Sequence, residues 1–202
     1  SAEFKNSAFL NLGKKYFIND VKFKFHACCH GTHSSIEALI YLRDNYQLKE
    51  SIIDMIQIFI NPQYLKICNI EKPKSGLEIK FSYKMIAALI INKFNTTRLD
   101  TFSDKNCNRK KLLSFCKKVK IIANNKILET ESKVIITLVN GKTLKKKYDI
   151  LDKVSFATLE NKLFLKAKSL LGEQISTKLW CDKLFENSLP SNWIENNLEY
   201  FG

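Results

Sequence analysis

The segment SKVIITLVNGKTLKKKY, residues 132–148, constrains the fold more than any other stretch of the chain. Apolar and β-branched residues run up to Asn140-Gly141, and a second strand-like run follows it. Asn-Gly is the strongest short hairpin signal, because a type I′ turn needs positive φ at both central positions. The segment is therefore predicted to form two antiparallel strands, with Lys145, Lys146 and Lys147 blunting an exposed edge. Two further strands are expected, in IIDMIQIFI (Ile52 to Ile60, stopped by Asn61-Pro62) and in KKVKIIAN (117–124).

Helical patterns stand between and after these strands. SYKMIAALIINKF, from Ser82, is apolar on all sides as a buried helix should be. Helices are also expected from about Phe156 in FATLENKLFLKAKSLLG, near Ile175 to Phe185, and after Pro190. Strands and helices in mixed order, without regular β-α-β spacing, indicate an α+β fold. Residues 1–20 read as an entry segment, 21–153 as the α+β domain and 154–202 as C-terminal helices. The chain reads as one that begins in mid-fold. Its 202 residues, 45% of them hydrophobic, suffice for a core.

No apolar run approaches the ~20 residues needed to span a bilayer, and the first residues lack the regions of a signal peptide. A cytoplasmic protein with no membrane partner is expected. Six cysteines (28, 29, 68, 107, 116 and 181) then read as free thiols. The net charge of +13 invites a polyanionic partner, yet only three of the 33 basic residues are arginine, the side chain suited to bidentate phosphate and base contacts. The lysines are also spread along the chain, so nucleic acid is disfavoured. Small multivalent anions such as di- and tricarboxylates would still be drawn to a basic surface.

KFKFHACCHGTH, residues 22–33, concentrates all three histidines and two cysteines. A structural zinc site is disfavoured, because its ligands usually come as two separated short-spaced pairs and all five candidates here share one turn. No metal is expected. Next, Ser34-Ser-Ile-Glu37 has the S-x-x-E spacing of a capping box and opens a helix over about Ser35 to Asn45. Thr32, His33 and Ser34 would then lie at a helix start, where free amides and the dipole favour a bound carboxylate and hold a histidine neutral. Lys24 stands upstream. Such a loop can grip a carboxylate while a neutral histidine or a thiol moves a proton. The plainer alternative, packed core residues of a strand-to-helix loop, stays open.

The order of these residues resembles the K-x-Y-P-x-C-x-x-T-H stretch of the MmgE/PrpD family, which includes 2-methylcitrate dehydratase, cis-aconitate decarboxylase and an iminodisuccinate epimerase. In register, the family lysine falls on Lys24, the cysteine on Cys29 and the Thr-His pair on Thr32 and His33. His26-Ala27 replace the aromatic-proline pair. GLEIKFSYKMIAALI (76–90), LDTFSD (99–104), VNGKT (139–143) and FATLENKLFLKAKSLLG (156–172) are similar to the family's K-F-S helix, following turn, hairpin and closing helix.

The resemblance implies the C-terminal half of a longer enzyme: a lid domain plus helices returning to a helical domain that comes first. It places Lys24, Cys29 and Tyr83 at the active site and implies no obligatory organic cofactor; with the helix-start reading, the candidate catalytic residues are Lys24, Cys29, His33 and Tyr83, and the candidate substrate-binding residues His30, Thr32 and Ser34. The tyrosine position falls at Tyr83 or, by strict register, at Met85. The expected chemistry is dehydratase, decarboxylase or epimerase action on a small polycarboxylate by proton abstraction. The opposite wall would come from the helical domain or a homologous subunit, possibly in a homodimer, and the chain alone would be inactive. A non-catalytic anion-binding or interaction module of the same fold is the alternative.

Overall fold

The computed structural model describes residues 13–14, 22–174 and 176. Within them a four-stranded sheet has the order β2-β1-β3-β4, with β1 spanning Ile53–Ile60, β2 Val119–Ala123, β3 Glu131–Leu138 and β4 Thr143–Asp149. The pair β1/β2 is parallel, while β1/β3 and β3/β4 are antiparallel, with Ile56 opposite both Val119 and Ile136. Seven α-helices lie among the described residues: α1 (His33–Asn45), α2 (Tyr64–Ile67), α3 (Gly76–Ile79), α4 (Tyr83–Ile91), α5 (Asp104–Cys107), α6 (Lys110–Cys116) and α7 (Phe156–Leu171). The α+β expectation is met. No helix among them is long and apolar enough to cross a membrane.

Alternation along β1 explains the layering. Ile56, Ile58 and Ile60 are buried on one face, while Met55, Gln57 and Phe59 are only partly covered on the other. The buried face meets α1 and α4, which pack on each other and on the sheet. Helix α4 is the centre of this core: every residue but Lys84 is buried, and Ser82 caps it by accepting from the Met85 amide. An apolar helix of this kind is stable only when wrapped on all sides.

Two local expectations are corrected. The hairpin forms, but only Gly141 has positive φ (+83°), and Asn140 does not. The Gly141 amide donates to Leu138 and the Leu138 amide to the Lys142 carbonyl, so Val139, Asn140 and Gly141 make a three-residue loop with its left-handed position on the glycine. Lys145, Lys146 and Lys147 do lie on edge strand β4.

The capping box does not form either. A 3-10 turn over His30–Thr32 runs directly into α1, and the helix is capped by Thr32 with no side-chain bond. Ser34 lies inside the helix, and Glu37 turns away to partners elsewhere in the fold. Helix α7 starts at the Ser155 cap and is held through Lys162 and through Lys166 and Ser169, which both donate to the Thr97 carbonyl. The helices expected near Ile175 to Phe185 and after Pro190 fall outside the described residues, Ser176 excepted.

Candidate active site

The loop of residues 26–33 is fixed from both sides by bonds distant in sequence. The Ala27 amide donates to the Thr96 carbonyl at 2.8 Å and the Cys29 amide to the Lys80 carbonyl at 3.1 Å. The buried Tyr83 hydroxyl donates to the Gly31 carbonyl at 2.8 Å. Gly31 itself has no space for a side chain: a Cβ there would stand 2.5 Å from a Tyr64 ring carbon and 3.1 Å from Cys68 Sγ.

His26 is buried with both nitrogens engaged, Nδ1 at 2.8 Å from Thr96 Oγ1 and Nε2 at 3.2 Å from Glu37 Oε1. Burial holds it below the ordinary histidine value, despite the opposing carboxylate. A neutral ring satisfies both neighbours by donating Nε2–H to Glu37 and accepting the Thr96 hydroxyl at Nδ1. Lys162 of α7 donates to the same Glu37 oxygen at 2.6 Å. Burial pushes the Glu37 carboxyl up, but the hydrogen bonds and charge of His26 and Lys162 outweigh it and bring it to about 2. Glu37 is thus an anion already neutralised inside the protein.

His33, one turn before Glu37, is 3% exposed. Its ring lies 5.0 Å from His26 and 5.2 Å from His30, centroid to centroid. Its Nε2 is buried and has no hydrogen-bond partner among the described residues. Burial, followed by the positive field of the other histidines and Lys24, pushes it down to about 3. A cavity of about 220 Å³ adjoins the cluster, lined by His30, His33, Glu37, Phe25, Tyr148 and Leu159 among others. Larger open hollows lie near Lys49 and Lys118 and near Lys72 and Cys116, and neither is lined by a residue of this cluster.

The expected site residues therefore divide. His30 and His33 meet at the cavity, and Lys24 is exposed with its charge felt by both. Cys29 is half-buried elsewhere on the loop, where the Cys68 thiol donates to its sulfur at 3.2 Å. Tyr83 is 1% exposed, and burial raises its hydroxyl far above the usual range. Thr32 and Ser34 are buried as well. The amides of Thr32 and His33, expected to be free, donate to the Cys29 and His30 carbonyls, because the 3-10 turn consumes them. No three His, Cys, Asp or Glu side chains converge as metal ligands among the described residues.

Sequence reading missed Glu37, Lys162, Thr96 and Cys68. The i, i+4 spacing of His33 and Glu37 on one helix face could have flagged the first. The others have no local signal.

Residues 26–177 match the MmgE/PrpD C-terminal domain. No curated protein matches the chain.

Proposed function

This chain belongs to the MmgE/PrpD family, and from that premise we propose that it forms one wall of a site acting on a small di- or tricarboxylate by proton abstraction next to a carboxylate, as a dehydratase, decarboxylase or epimerase. The observation carrying this reading is His33, a buried neutral imidazole whose Nε2 has no partner among the described residues, set beside a cavity under the positive field of Lys24. An unpaired buried nitrogen costs ~1–3 kcal/mol, and a ligand hydroxyl or carboxylic acid group would satisfy it.

Each group takes a role suited to its environment. His30 lines the cavity, and the charge of exposed Lys24 reaches it, so together they attract a carboxylate. A histidine held near 3 is a hydrogen-bond partner and too weak a base to remove an α-proton at neutral pH. That leaves the half-buried sulfur of Cys29, on the same loop but outside the lining of this cavity, as this wall's candidate for proton transfer. Thr32 fixes the loop by donating to the Cys29 carbonyl at 2.7 Å, and Tyr83 fixes it through Gly31, so both act by positioning. Acid-base chemistry also needs a facing group within hydrogen-bond reach, supplied in this reading by a helical domain or a homologous subunit. A non-catalytic anion-binding module is the second reading, favoured by Glu37, one of the two carboxylates lining the cavity, being neutralised by Lys162.

Calorimetry with citrate-type acids tests the proposal. Weak binding is expected, reduced in Lys24→Ala and at high salt, where screening shortens electrostatic reach. The chain by itself is expected to show no turnover of methylcitrate or cis-aconitate. Absence of any carboxylate binding would overturn the site. Turnover at roughly 1 per second or faster would show that no second wall is needed.

A further inference from the structure

Two cysteines 39 positions apart meet beneath the loop. Cys68 Sγ lies 3.2 Å from Cys29 Sγ, with the Cys68 thiol as donor, and both cysteines are free. Their backbones are tied to neighbouring structure: the Cys29 amide to the Lys80 carbonyl, the Cys68 amide to Tyr64, and the Cys68 carbonyl to the Tyr83 amide at 3.3 Å. Gly31 permits the approach, since any side chain there would strike Tyr64 and crowd Cys68 Sγ. The adjacent Cys28 is engaged differently, with Sγ 3.2 Å from Thr32 Oγ1.

We propose that Cys29 and Cys68 form an oxidisable dithiol, which a peroxide converts to a reversible disulfide that locks the loop onto the end of α2. Exposure sets the order of events. Cys29 is half-buried and reachable, whereas Cys68 is fully buried behind it. The Cys29 sulfur attacks the O–O bond, giving a sulfenic acid and one water. The Cys68 sulfur then attacks the Cys29 sulfur, the S–S bond forms, and the sulfenic oxygen leaves as a second water. Two thiols and one peroxide become one disulfide and two waters. Burial and the neighbouring Cys29 raise the Cys68 thiol, which disfavours it for the first attack. The sulfurs need to close by only about 1 Å to reach the ~2.05 Å disulfide bond length.

Oxidation removes the free Cys29 sulfur, so any effect on substrate rests on the role proposed for Cys29 above. The chemistry itself does not. Hydrogen peroxide is titrated into the reduced protein, followed by intact mass and non-reduced peptide mapping. Wild type should lose two hydrogens per chain and two alkylatable thiols, yield one Cys29–Cys68 cross-linked peptide, and recover both thiols with dithiothreitol. Cys68→Ser should stop at a Cys29 sulfenic acid trapped by dimedone, with Cys68→Ala making the same comparison if the serine variant unfolds. Cys28→Ser should oxidise like wild type. A bridge through Cys28, or both Cys29 and Cys68 remaining alkylatable while other cysteines oxidise, overturns the proposal. A Cys29–Cys68 bridge upholds the dithiol whether or not carboxylate binding changes with it.

Discussion

The β3–β4 hairpin and the loop of residues 26–33 are both tight turns, but they draw on partners at opposite distances along the chain. The hairpin is closed by Leu138, Asn140, Gly141 and Lys142, and a Cβ at Gly141 would meet nothing within 4 Å. The loop is held by Lys80, Tyr83, Thr96 and, through Glu37, by Lys162, which is 125 positions from its partner. A turn made of its own residues tolerates change locally. A turn made by the rest of the fold transmits change to every element that holds it.

Matched glycine substitutions break this contrast most sharply. Gly31→Ala places a methyl group against the Tyr64 ring and should cost up to ~3 kcal/mol by overpacking. Gly141→Ala strains only its own φ of +83° and should cost ~1 kcal/mol. Equal losses in urea unfolding would show that the two turns do not differ as described.

The next largest effect is expected at the buried ion pair. Lys162→Met leaves the Glu37 carboxylate, 14% exposed, without its cation. A fully buried pair broken in this way loses ~3–5 kcal/mol, and the partial exposure of Lys162 reduces the expectation to ~2 kcal/mol. Adding Glu37→Gln should recover much of the loss, and a double-mutant cycle measures the coupling.

The most gradual effect is the acid response. His33 has a folded value near 3 against 6.5 when unfolded, so the unfolded chain binds the extra proton between those limits. Its contribution is complete above pH 6.5 and falls by up to ~1.4 kcal/mol per pH unit as pH drops toward 3. His26 is shifted in the same direction. Glu37, lowered from 4.5 to about 2, adds a loss only between those two values. Stability measured against pH should therefore begin to fall below about 6.5, and His33→Asn should flatten the upper part of that slope. A fall beginning only near 4.5 would assign acid sensitivity to the carboxylate alone.

Much of the fold was legible because its signals are local. Strand β1 shows in IIDMIQIFI, α4 in SYKMIAALII behind its Ser82 cap, and α7 behind Ser155. The errors arose where a local rule met a tertiary competitor. Glu37 has the spacing of a capping box, yet a buried neutral histidine and a lysine offer it stronger bonds than an exposed helix end. Tyr83 falls at a motif position in the family's helix, yet its hydroxyl is spent on Gly31.

Periodicity, turn residues and the order of Lys24, Cys29, Thr32 and His33 by themselves determined the α+β class, most element positions and the family resemblance. They act through neighbours within one or two turns. Tertiary structure alone decided which of those residues meet. It buried His33 Nε2 with no hydrogen-bond partner among the described residues, neutralised Glu37 with Lys162, and set Cys68 against Cys29. Protonation states and sulfur contacts depend on burial and on atoms a few ångströms away, and residues 39 to 125 positions apart supply them only once the chain has folded.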